Sequence, residues 1–224
     1  FFPNWAEDVF INSKELKPVR EDFNIPDGFV IMFAGNLGEA QDLEVVLKAA
    51  ELTKENHFIQ WVFIGDGRKF KYLKETIKEK QLARTVSLLG RFPTESMPSF
   101  FKLADIMLVS LKDEYIFSLT VPGKIQSYMA SSKPILAMLN GAGSKVVLEA
   151  DCGLVANAGD YNQLAKNVLE SYALSNETRR GWGSNAFDFY LKNYSKEKLI
   201  DNFIKEIEFS KKDHNIVGDN NIMR

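Results

Sequence analysis

At 224 residues, with 45% of them hydrophobic and 26% charged, the chain has ordinary globular composition and room for one large core or two small ones. Its 28 basic and 30 acidic residues leave a net charge of −2 with no long run of one sign, which argues against nucleic acid as a partner. A single cysteine, Cys152, beside only His57 and His214 excludes an internal disulfide and a structural zinc set, so a reducing, cytoplasmic setting is expected.

Residues 1–28 carry aromatics, charges, Pro3, Pro18 and Pro26 without a sustained period and predict an ordered linker. The first residue is Phe rather than Met, and a further domain on the N-terminal side is expected. From Phe29 the chain changes. Phe29 to Ala34 is a continuous apolar run closed by Gly35, as expected of a strand covered on both faces. Asp42 to Lys54 then places Leu43, Val46, Leu47 and Ala50 on one helical face. The unit recurs: runs at 59–64, 86–89, 106–110, 134–138 and 153–155 read as strands, and 69–80, 97–103, 124–130, 144–149 and 161–171 as helices. Strands alternating with helices at this spacing predict an α/β fold, a doubly wound, Rossmann-like parallel sheet of about six strands. Two helices without an intervening strand, 176–193 and 195–208, follow, and from Lys211 the polar, aperiodic sequence predicts a disordered tail. No apolar run reaches the roughly 20 residues that span a bilayer, and no signal-peptide pattern opens the chain.

Ligands of such sheets bind beyond the carboxyl ends of the strands, so the turns there carry the candidate chemistry. The richest is Ser118 to Ala130, a polar loop bearing Pro122 and Gly123 that turns helical, with Ile125, Tyr128 and Met129 at i, i+3, i+4 spacing. Thr120 is expected as its N-cap, with Pro122 in the first turn. Lys124 in that turn opposes the helix dipole at a cost of about 0.3–1 kcal/mol, so either an anion lies between them or the lysine points to water. Free helical amides, a glycine that permits close approach and a lysine form a cradle for phosphate. Gly35-Asn36-Leu37-Gly38 fits close approach to a diphosphate and, through Glu39 and Asp42, plain helix capping. Gly65-Asp66-Gly67-Arg68 fits an anion turn or a simple strand-to-helix reversal. Arg91 and Phe92 end the third strand with a guanidinium and a ring suited to a flat heterocycle.

Several mechanisms lack their residues. There is no Gly-x-Gly-x-x-Gly after the first strand, no P-loop and no Gly-x-Ser-x-Gly elbow. No Asp-x-Asp occurs, so a metal-bridged diphosphate site lacks paired carboxylates, and no metal or other cofactor is expected.

Taken together and in order, Phe33 to Gly38 with Gln41, Phe63 to Gly67, Leu89 to Phe92 followed by Met97-Pro98, Ala104 to Ile106, Val121 to Lys124, Tyr128 to Ala130 through Lys133-Pro134-Ile135, and Cys152-Gly153-Leu154 resemble one family. It is the C-terminal, donor-binding domain of GT-B glycosyltransferases, in the large retaining family 4 of bacterial polysaccharide enzymes. The resemblance is nearest to the branch that transfers N-acetylated amino sugars, N-acetyl-fucosamine among them, in O-antigen and capsule assembly. It implies a linker over 1–28 from an N-terminal acceptor domain, a nucleotide-sugar-binding domain over 29–174, C-terminal helices over 175–210 that cross back to the other domain, and a tail over 211–224.

The resemblance further implies that Arg91 and Phe92 lie beside the uracil and that Gly35, Asn36 and Gly38 face the cleft. Ser118, Thr120, Val121, Pro122, Gly123 and Lys124 would hold the diphosphate and sugar, with Lys124 the catalytic cation. One departure stands out: Ser127 occupies the position of a ribose-binding glutamate, and Leu119 that of the glutamate before it. The ribose is then left to Gln126, Ser127 or main chain. The implied partners are a UDP-sugar donor and a glycan or lipid-linked acceptor, with peripheral association at the inner membrane face. A nucleotide-sugar 2-epimerase half and a noncatalytic α/β interaction domain are the alternatives.

Overall fold

The computed structural model describes residues 3–11 and 20–218. Phe1, Phe2 and residues 12–19 of the expected linker, and 219–224 of the expected tail, lie outside them. In chain order the elements are β1 (Phe29–Ala34), α1 (Leu43–Thr53), β2 (Ile59–Ile64), α2 (Phe70–Glu79), β3 (Val86–Gly90), α3 (Met97–Leu103), β4 (Ile106–Ser110) and α4 (Tyr115–Ser118). They continue with α5 (Gly123–Ala130), β5 (Ile135–Met138), α6 (Ala142–Glu149), β6 (Gly153–Ala156), α7 (Tyr161–Ala173), α8 (Asn176–Asn193) and α9 (Lys196–Gly218).

The six strands form one parallel sheet in the order β3-β2-β1-β4-β5-β6. β1 and β2 run in register from Phe29 opposite Ile59 to Ala34 opposite Ile64. The winding reverses between β1 and β4, the place where such sheets open a crevice. The α/β, Rossmann-like architecture expected from the alternation of runs is therefore the observed one.

β1 is buried along its whole length because both faces are covered. Val30, Met32 and Ala34 enter one core, and Phe29, Ile31 and Phe33 the other. Phe100, Ile125, Val147 and Tyr190 from α3, α5, α6 and α8 complete the first core; Leu47, Leu73 and Val168 from α1, α2 and α7 complete the second. Each such fully buried side chain contributes about 1.5–3 kcal/mol.

The segment before β1 is seated on the first core. Ala6 and Ile25 are buried, the Phe10 ring stacks on Phe101 at 5.4 Å, and Phe23 lies 4.4 Å from Phe100. Two 3-10 turns, Asp8–Phe10 and Arg20–Phe23, bring those rings round.

Two expectations are corrected. The loop after β4 contains the short helix α4, and α9 runs to Gly218, past Lys211 where a tail was expected. Once a helix exists, each added residue gains a hydrogen bond for little cost, and no proline interrupts the sequence here. Among the described residues no helix is long and apolar enough to cross a membrane.

Candidate functional site

The site is built on the carboxyl ends of β1, β2 and β3. Gly35 ends β1 with φ +139°, and its N–H donates to the Ile64 carbonyl at 2.9 Å. Gly65 ends β2 at the same φ, and a Cβ there would lie 1.8 Å from the Gly35 oxygen. Only glycine allows the two strand ends to meet main chain against main chain.

Over this floor passes Lys124. It stands in the first turn of α5, and a Cβ on Gly35 would lie 2.6 Å from its Cε. The stem therefore lies across Gly35, and Nζ comes within 5.0 Å of the Phe33 ring centroid. Tyr128, one turn further on, fixes the helix in this position. Its buried hydroxyl accepts from the Ala34 N–H at 3.1 Å and donates to the Ala34 carbonyl at 3.2 Å. Burial raises the phenol pKa, so it stays protonated.

Lys124 is half-buried, and burial holds its pKa below the usual lysine value. No carboxylate pairs with it among the described residues. The amides of Gly123 and Lys124 likewise have no acceptor among those residues, as expected of a helix start. A partly desolvated cation and open amides at one place make a site for an anion.

Of these groups Lys124 lines a cavity of about 600 Å³. Its wall passes from Lys124, Ser127 and Tyr128 over Gly35, Asn36 and Gly65 to Gly67, and ends at Arg91 and Phe92. From β1 to β3 is two strand spacings, about 10 Å. The cavity thus offers a cation at one end and a guanidinium with a ring at the other. The Phe92 ring is held from behind by Phe100 at 4.7 Å and by the edge of Phe23 at 5.6 Å.

The structure brings together six of the expected residues in this cavity: Gly35, Asn36, Arg91, Phe92, Lys124 and Ser127. Seven others do not line it. Ser118 Oγ donates to the Tyr115 carbonyl at 2.8 Å, and Thr120 Oγ1 to Phe117 at 3.0 Å, so both close turns of α4. Thr120 is not the N-cap of α5; Pro122 occupies that position with extended backbone. Val121 packs on the first core, and Gly123 is exposed at the helix start. Gln126 is buried, and with its amide turned to suit its neighbours it donates to the carbonyls of Pro122 at 2.9 Å and Gly123 at 3.2 Å. Gly38 instead donates to Gln41 Oε1 at 3.1 Å, beside Lys69, which pairs with Glu39 at 2.9 Å and Glu44 at 2.6 Å. The charges at that turn are already matched.

Residues that the sequence did not single out also line the cavity, among them Glu7, Phe10, Thr94 and Phe101. Asp66, from the turn that the sequence offered as an anion site or a simple reversal, lies there too, its Oδ1 accepting from the Gly67 N–H at 2.7 Å. Glu7 and Phe10 lacked any local signal, because they reach the cavity only through the stacking of Phe10 on Phe101.

Residues 17–189 match the family described as glycosyl transferases group 1. The chain belongs to that family. The probable glycosyltransferase WbjE of Pseudomonas aeruginosa is 35% identical over 179 residues, covering 76% of this chain and 43% of WbjE. The uncharacterized glycosyltransferase MJ1178 of Methanocaldococcus jannaschii is 29% identical over 188 residues, covering 84% of this chain and 49% of that protein. The chain thus spans about half the length of these relatives or less. Among solved structures, Anabaena HepE in complex with UDP-glucose superposes with a TM-score of 0.72 at 17% identity, over 84% of this chain and 51% of HepE. The pneumococcal O-GlcNAc transferase GtfA in complex with UDP and GlcNAc gives 0.64 at 14%, over 83% and 36%. At these identities the likeness is one of fold, that of GT-B glycosyltransferases.

Proposed function

We propose that this chain is the donor-binding part of a family 4 type glycosyltransferase that takes an N-acetylated sugar from UDP and transfers it, with retention and without a metal, to a glycan or lipid-linked acceptor. The acceptor is bound by an N-terminal half, and the work belongs to O-antigen or capsule assembly at the cytoplasmic face of the membrane. The observation that carries this reading is Lys124, a cation without a carboxylate partner, lying over a glycine floor in the first turn of a helix.

As the glycosidic bond of the donor breaks, negative charge accumulates on the departing diphosphate. Preorganised charge at that place lowers the barrier by several kcal/mol. On this reading the diphosphate lies at Lys124 and the base against Arg91 and Phe92, all three of which line one cavity. Lys124 thereby takes the part that a divalent cation plays in other donor sites. HepE bound to UDP-glucose and GtfA bound to UDP and GlcNAc support UDP as the carrier. The buried thiol of Cys152 suits a reducing compartment.

Titration calorimetry with UDP, GDP and ADP tests the reading. UDP is expected to bind at least tenfold more tightly than the other two. Preference for GDP or ADP overturns the carrier, and no binding of any of the three overturns the donor site.

A further inference from the structure

We infer that a second anion-binding site, for a phosphate or diphosphate group, lies at the amino ends of β4 and β5, the end of the sheet opposite the donor cavity. It stands independently of the donor reading above. A cavity of about 290 Å³ opens there, close to the small end of ligand pockets. Lys102 from α3, Lys133 from the turn before β5, and Arg179 and Arg180 from α8 line it, with Asp105 the one carboxylate among the described residues of its wall.

Two of these cations are held in place by neutral groups. Lys133 Nζ donates to the Ala104 carbonyl at 2.8 Å and to that of Lys102 at 3.5 Å, which leaves one of its three N–H bonds. Arg179 donates to the carbonyls of Ser171, at 2.9 Å, and Leu174, and to Asn176 Oδ1; its guanidinium lies 5.1 Å from the Phe29 ring centroid. Carbonyls and a ring orient a cation without cancelling its charge.

Countercharge is what the wall lacks. No salt bridge reaches any of the four cations among the described residues, and Asp105 gives Oδ2 to the Val30 N–H at 2.8 Å. Like charges held together repel, and a bound anion reverses that cost. Burial pushes Lys133 down to about 8 although Asp105 acts in the opposite direction, so the carboxylate does not balance it. The other polar groups of the wall are donors as well: Asn176 accepts from Arg179 and keeps its amide N–H bonds, and Ser132 adds a hydroxyl. A phosphate group, negative and rich in acceptors, matches such a wall, whereas a neutral sugar or a base leaves its charge unbalanced.

The probe is inorganic pyrophosphate, titrated calorimetrically into the Lys124→Ala chain so that the donor cavity competes less. Lys102 and Arg180 are exposed, and neither side chain makes a hydrogen bond or ion pair among the described residues, so both can be removed without disturbing the fold. Lys102→Ala with Arg180→Ala is expected to weaken pyrophosphate by about tenfold or more. Lys74→Ala with Lys78→Ala removes the same charge from exposed positions of α2 and is expected to change it by less than about twofold. Cosedimentation with vesicles of phosphatidylcholine and phosphatidylglycerol separates two sources of the anion. Sedimentation abolished by the Lys102 and Arg180 pair makes it a lipid headgroup; pyrophosphate binding without sedimentation makes it a soluble phosphate or diphosphate. Binding of neither pyrophosphate nor vesicles, or equal loss in both pairs of substitutions, overturns the site, and UDP titrated into the parent chain reads the donor cavity separately.

Discussion

At the scale of single residues the site turns on how Lys124 is held. Phe33, Gly35 and Tyr128 place it, and the absence of a carboxylate partner among the described residues leaves it for a ligand. Lys124→Ala is expected to weaken UDP by about 1–3 kcal/mol, the worth of a hydrogen bond to a charged group, as read by calorimetry. The titration of this lysine gives a second signature. Burial lowers its pKa in the free protein, and a bound diphosphate raises it again, so binding takes up a proton. Affinity should fall as pH rises through the region below the usual lysine value, with proton uptake visible in buffers of differing ionisation heat; Lys124→Ala should lose that slope. Lys124 was legible because a cation in a first helical turn is an anomaly in the sequence itself. Thr120 and Gln126 misled because short polar side chains can satisfy their own turn, and these two do, at Phe117 and at Pro122 and Gly123. Glu7 left no trace in the sequence, since its place depends on a ring stacking 91 residues further along, Phe10 on Phe101.

At the scale of elements, the strands were readable to within a residue or two because a strand covered on both faces is a continuous apolar run, and glycine closes three of them at Gly35, Gly65 and Gly90. The short helix α4 was not readable, because a four-residue helix has no period to detect. Packing between helices was equally invisible. α8 crosses the turn after α5 at Gly183, where an added Cβ would lie 2.3 Å from the Ser132 carbonyl oxygen. Gly183→Ala would normally favour a helix, yet here the methyl meets backbone that cannot swing aside. It is expected to destabilise the chain by about 1–3 kcal/mol, seen as a lower midpoint in urea or heat. A neutral or stabilising result would mean that α8 is free to lift from the turn. The turn at Gly38 shows the converse lesson: its sequence suits an anion, but Lys69 with Glu39 and Glu44 already settles the local charge.

At the scale of the whole molecule, the cavity lies along one end of the sheet, and the chain matches a little under half the length of WbjE and of MJ1178. If, as proposed, the acceptor is bound by a separate half, this chain should bind UDP and leave a UDP-sugar intact. The expected outcome is UDP binding unchanged by EDTA, with no sugar transferred by this chain alone. A tenfold loss of affinity in EDTA would bring a metal into the site, and transfer by the chain alone would place the acceptor within it. The meeting of Gly35 and Gly65 has a consequence for how such a site diversifies. Because no side chain can be grafted onto that floor without forcing two strands apart, a change in what the cavity accepts has to come from its rim, where Arg91 and Thr94 stand, while the platform beneath stays constant.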